Sequence, residues 1–175
     1  VTADTDTDEN SDYRLTRRPN HSSREAAACE SPARQCRVRL VFSTKERRDL
    51  IPIQLHALLW KYLAGIGRNH NIPVFCAGGT ANHVHLLIAL PSDVTVAKAV
   101  QVLKANSSRW IGEHGIAFAW QQGYGAFSVS ASHVPVVRNY IEHQPEHHAK
   151  RTYEDEFLTL LKKTGVAFEP DQLFG

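Results

Sequence analysis

Strand-like and helix-like segments alternate in the order β-α-β-β-α-β between Cys36 and Ser130. That order predicts an α+β fold, a βαββαβ antiparallel sheet with helices on one face. Two further helical segments follow Ser130 and add to the plan. A length of 175 residues suits one domain with a real core. Residues 1–35 are polar and lack any apolar period, so they are expected to form a disordered or spurious N-terminal extension. The chain holds no methionine, which strengthens that expectation and leaves residues 36–175 as the single domain.

Each element has its own signal. Cys36 to Ser43 alternates and is rich in β-branched and aromatic residues, as a strand requires. Gln54 to Asn69 places Leu55, Leu58, Leu59, Tyr62, Leu63 and Ile66 at helical spacing behind Pro52. Ile72 to Gly79 reads as a second strand, and His83 to Leu90 as a third, closed by Pro91. A second helix is expected from Val94 to Glu113, with Val96, Val100, Leu103 and Trp110 on one side. Ala117 to Ser130 contains strand material broken by Gly123 and Gly125. Ser132 is the expected cap of a helix reaching Gln144, and a last helix spans Thr152 to Thr164. The whole is the ferredoxin-like plan, which hosts many unrelated activities.

Composition excludes several classes. No apolar run approaches the ~20 residues of a membrane span, and no secretory leader is readable at the start of the sequence. Three cysteines without C-x-x-C spacing argue against a disulfide scaffold and a cysteine zinc site, and fit a cytoplasmic setting. Net charge is only +2, and the first twelve positions hold Asp4, Asp6, Asp8, Glu9 and Asp12 with no Lys or Arg. The remainder is mildly basic, which permits a nucleic-acid partner without requiring one.

Chemistry concentrates in two places. In Asn82-His83-Val84-His85-Leu86-Leu87-Ile88, strand alternation sends His83 and His85 to one face and Val84, Leu86 and Ile88 to the other. Two imidazoles side by side suit a divalent metal, and unpartnered they would be costly in an apolar central strand. The second place is Tyr140-Ile141-Glu142-His143-Gln144, where a helix would put Tyr140 and Gln144 on one face. There a phenol could attack phosphorus and an amide oxygen could complete a metal site. Taken alone, each piece also fits ordinary structural histidines and a half-buried tyrosine.

Together these residues resemble the small single-tyrosine HUH transposases of bacterial insertion sequences, the IS200-like family. Phe42-Ser-Thr-Lys-Glu-Arg-Arg, Leu103-Lys-Ala-Asn-Ser-Ser, Trp120-Gln-Gln-Gly-Tyr-Gly-Ala-Phe-Ser-Val-Ser and His147-His148-Ala-Lys-Arg-Thr resemble its recurrent segments, from about Val38 to Phe174. The resemblance implies cleavage and rejoining of single-stranded DNA at hairpin-marked element ends through a 5′-phosphotyrosine. It implies Tyr140 as nucleophile, His83, His85 and Gln144 as ligands of Mg²⁺ or Mn²⁺, and a homodimer, with no organic cofactor. Lys45, Arg47, Arg48, Lys104, Ser107, Ser108 and Arg109 are the candidate DNA contacts.

The sequence also departs from the family pattern. Asn82 stands where Asp is common, Arg39 where a first-strand His is often found, and Pro145 directly follows Gln144, where a kink is expected. These changes leave open a domesticated or inactive relative that binds hairpin repeat DNA without transposing. Tyr153 is the second candidate nucleophile. A zinc site from His143, His147 and His148 is disfavoured by Pro145 between them.

Overall fold

The computed structural model describes residues 36–144, 146 and 152–164. The expected extension over 1–35 lies outside the described residues, as do Pro145, His147 and His148. Four strands, β1 (Cys36–Ser43), β2 (Val74–Gly79), β3 (His83–Leu90) and β4 (Gly125–Ser128), form one sheet in the order β2-β3-β1-β4. Every neighbouring pair is antiparallel. Strands β1 and β3 are therefore central, and their long alternating sequences are the ones that must be buried on both faces.

One face of the sheet carries α1 (Ile53–Asn69) and α2 (Val96–Glu113). Val38, Leu40, Phe42, Val84, Leu86 and Ile88 point to this side and join Leu59, Leu63 and Ile66 of α1 with Ala99, Val100, Leu103 and Ile111 of α2 in the main core. Helix α2 starts two residues later than its apolar pattern suggests, because Thr95 is its cap and its hydroxyl accepts Lys98 N–H at 3.2 Å. Pro52 fixes the start of α1. Strand β2 begins at Val74 rather than Ile72, since Pro73 has no N–H for the ladder.

The opposite face is covered by α3 (Val134–Glu142) and α4 (Tyr153–Thr164). A smaller core of Val41, Phe127 and Leu161, with Tyr153, Phe157 and Leu160 against it, seats α4 on β1 and β4. Ser132 lies in a short 3-10 turn, and α3 begins behind His133 with no side-chain cap, so the expected Ser132 cap is not the one used. Helix α3 ends at Glu142, and a turn at His143 separates it from Gln144, one residue before the expected kink.

Helix α3 lies close to β2 because Gly78 has no side chain: a Cβ there would run into the carbonyl of Ile141. The expected outcome of Gly78→Ala is a loss of about 2–3 kcal/mol in urea unfolding. Gly65→Ala, in open space within α1, should be neutral or gain up to ~1 kcal/mol. Equal effects at the two positions would contradict this seat for α3.

Candidate functional site

On the face covered by α3 and α4, the ladder sets Ser43 opposite His83, Val41 opposite His85 and Arg39 opposite Leu87. His83 and His85 are 0% and 1% exposed, with ring centroids 5.0 Å apart and edge to face. Imidazoles so deeply buried need defined partners.

His83 Nδ1 lies 2.8 Å from Asn82 Oδ1 and 2.9 Å from Thr80 Oγ1. Thr80 donates its own proton to Asn82 Oδ1 at 3.1 Å, and an amide oxygen only accepts. The shorter of its two contacts with amide oxygens, to Asn82 Oδ1, favours the proton of His83 on Nδ1. Its Nε2 then turns a lone pair toward Gln144 Oε1, 3.3 Å away. The amide N–H of Gln144 points instead at the Tyr140 carbonyl, at 3.5 Å.

His85 is set the other way. Arg39 Nη2 lies 3.2 Å from His85 Nδ1, and a guanidinium can only donate. Nδ1 must accept, which leaves the proton on Nε2, 3.2 Å from Glu156 Oε1. The same carboxylate oxygen accepts from Arg39 Nη2 at 2.7 Å, in an ion pair whose side chains are 9% and 10% exposed. Arg39 also places its guanidinium carbon 4.6 Å from the centre of the Tyr140 ring, a cation–π contact.

Two tyrosines flank the histidines. The Tyr140 ring sits 6.2 Å from that of His85, and Tyr153 sits 4.9 Å from His83 and stacks on Phe157. Burial first, then the hydrogen bond of the Tyr140 hydroxyl to Glu156 and that residue's charge, push the Tyr140 pKa up to about 12. Gln144 and Arg39 oppose the shift. Tyr153 is also raised to about 12, mainly by burial.

The donor set suits a divalent ion. Ligand atoms of His83, His85 and Glu156 all lie within 4.8 Å of one another, and Gln144 Oε1 faces His83. Imidazoles with an amide oxygen and a carboxylate would accept Mg²⁺, Mn²⁺ or Zn²⁺.

Comparison with known proteins settles the family. The family model described as "Transposase IS200 like" matches residues 32–144. The chain belongs to the IS200-like transposase family. Two solved structures share the fold. A candidate transposase from Deinococcus radiodurans R1 is 20% identical, with a TM-score of 0.51 over 63% of this chain and 91% of that one. A REP-associated tyrosine transposase bound to a REP hairpin is 16% identical, with a TM-score of 0.52 over 65% of this chain and 68% of that one. No curated protein matches. Among the described residues of this transposase, no helix is long and apolar enough to cross a membrane.

The expected DNA contacts divide sharply. Lys45 and Arg48 are exposed, on a turn where Glu46 and Arg47 take φ of 56° and 55°, the left-handed region that glycine favours. Arg47 in that turn reaches Glu154 of α4 at 2.9 Å. Arg109 is exposed and Ser108 half-buried on α2. Ser107 and Lys104 are engaged within the fold. Ser107 is buried, its hydroxyl donating to Leu103 O at 2.6 Å and accepting Trp120 Nε1–H at 3.0 Å. Lys104 directs its ammonium to the carbonyls of Gln121, Gln122 and Gly123, and burial draws its pKa down to about 8.

Sequence reasoning missed Glu156 as a site residue. Its signal was a lone carboxylate on the inward stripe of α4, between Tyr153 and Leu160. Arg39 was noted only as a departure, although a charge on a central strand is itself a signal.

The raised phenols give a titration test. Both folded pKa values lie above the unfolded value near 10, so folding is favoured by these groups below pH 10. That contribution is lost as pH rises from about 10 to about 12. In a phenolate absorbance titration, Tyr140→Phe and Tyr153→Phe should each remove one phenol that ionises near pH 12. A Tyr140 that ionises near pH 10 would contradict the buried hydroxyl.

Proposed function

We propose that this transposase cleaves and rejoins single-stranded DNA at hairpin-marked ends, with Tyr140 as nucleophile and a homodimer as the working unit. The observation that carries the reading is the meeting of Tyr140, at the end of α3, with the paired histidines of β3 in a chain of this family. The likeness in fold to a tyrosine transposase bound to a REP hairpin supports hairpin DNA as the substrate class.

In this mechanism, the Tyr140 oxygen attacks the scissile phosphorus and the bond to the 3′-oxygen breaks, leaving a 5′-phosphotyrosine and a 3′-hydroxyl. With its pKa pushed up to about 12, the phenol is protonated at pH 7 and needs a proton acceptor beside it as it attacks. Glu156, which accepts the hydrogen bond of that hydroxyl, is placed to receive the proton. Rejoining is the reverse step, with a second 3′-hydroxyl displacing the tyrosine, so no nucleotide energy source is needed. His83, His85, Gln144 and Glu156 are the residues that would hold a divalent ion. Such an ion, when bound, would polarise a non-bridging phosphate oxygen and offset charge developing in the transition state. Asn82 orients His83 through its Oδ1, the task of an outer-shell partner. Lys45, Arg48 and Arg109 are proposed to neutralise phosphates.

One observation favours a second reading, a relative that binds hairpins without cutting. Arg39 stands among the proposed ligands and covers the nucleophile's ring. The two readings separate in a denaturing-gel assay with Mg²⁺ and labelled single-stranded hairpins from the DNA flanking the chain's own gene. Cleavage predicts a protein–DNA adduct that falls at least ~100-fold in Tyr140→Phe. Glu156→Gln should slow its formation by about 100-fold or more. An adduct that persists in Tyr140→Phe would move the nucleophile to Tyr153. Hairpin binding with no adduct would support the second reading.

A further inference from the structure

The two histidines of the site hold opposite tautomers, and the cause is Arg39. Asn82 and Thr80 keep the His83 proton on Nδ1, which turns the Nε2 lone pair toward Gln144. At His85 the guanidinium demands the reverse. Its nitrogen at 3.2 Å requires a lone pair on Nδ1, which leaves the proton of a neutral imidazole on Nε2. A neutral imidazole can ligate a metal only through an unprotonated nitrogen. For Nε2 of His85 to bind, the proton would have to sit on Nδ1, donor against donor with Arg39.

We propose that Arg39 is a positioning residue that holds His85 in its Nε2–H form, so that the site takes a divalent ion fully only after the guanidinium withdraws. The inference rests on the metal reading of the site given above. Arg39 is suited to this hold because it is fixed from three sides: by Glu156 at 2.7 Å, by His85 at 3.2 Å and by the Tyr140 ring at 4.6 Å. It also supplies a permanent positive charge, which repels a second cation from the same carboxylate. Withdrawal would release Glu156 and uncover Tyr140 together, coupling ligand exposure to nucleophile exposure. Incoming phosphate is the natural competitor for the guanidinium, since Arg pairs with phosphate as readily as with carboxylate.

The hold can be read directly. Nitrogen-15 NMR of the imidazoles in the full chain without metal should show His83 as Nδ1–H and His85 as Nε2–H. In Arg39→Gln, whose amide oxygen can accept a proton from Nδ1, His85 should change to Nδ1–H. Mn²⁺ affinity, followed by electron paramagnetic resonance, should rise about tenfold or more, the scale on which outer-shell partners act. Glu156→Leu removes the anchor of Arg39 and serves as a second variant, expected to loosen the His85 tautomer preference. Finding His85 as Nδ1–H in the unsubstituted protein would overturn the proposal while leaving the metal reading intact. A tautomer change in Arg39→Gln with no Mn²⁺ bound by either protein would overturn the metal reading, and the proposed gate with it. An unchanged tautomer in a folded Arg39→Gln protein would overturn the role of Arg39 alone.

Discussion

The ion pair between Arg39 and Glu156 is the interaction on which the site depends. It joins a central strand to α4 across 117 residues of sequence, within a face from which water is almost excluded. Neither partner could be buried alone without a penalty of several kcal/mol. The pair therefore works together with the apolar contacts of Tyr153, Phe157, Leu160 and Leu161 to fix where α4 lies. Once α4 is placed, Glu156 meets His85 and Tyr140, and Tyr153 covers His83. The second anchor, Arg47 to Glu154, is more exposed and should contribute less.

Chemical function in this arrangement is a matter of which lone pairs are offered. The sheet supplies two imidazoles at fixed spacing, but spacing alone does not make a ligand. Asn82 and Thr80 orient one imidazole for coordination, while Arg39 orients the other against it. Asn82 thus retains what a carboxylate would do for the His83 proton, because only an acceptor oxygen is needed there. Arg39 is the more consequential departure. A histidine would add a donor nitrogen at this place on β1, whereas a guanidinium adds only N–H groups and charge.

Much of the architecture was legible because it is periodic. The alternation of β1 and β3 told which face each residue takes, and it separated His83 and His85 from Val84, Leu86 and Ile88. Tyr140 and Gln144 were also legible, although the chain turns at His143 between them and Gln144 still reaches His83. What was not legible depends on long-range packing. Nothing local to 152–164 reveals that α4 crosses to the site face and delivers Glu156. Likewise, Lys104 and Ser107 look like surface polar residues on a helix. The burial of Ser107 follows from Trp120 folding back against α2, and the inward reach of Lys104 from the loop at 121–123.

The most direct test of the organising role given to Arg39 and Glu156 is a double-mutant cycle in equilibrium unfolding, with Arg39→Met, Glu156→Leu and the double variant. Each single substitution strands a buried charge and should cost about 3–5 kcal/mol. The double variant, which strands neither, should recover most of that loss, giving a large coupling energy. Additive losses, with no recovery in the double variant, would show that the pair does not hold α4 on the sheet and would contradict the site as built here.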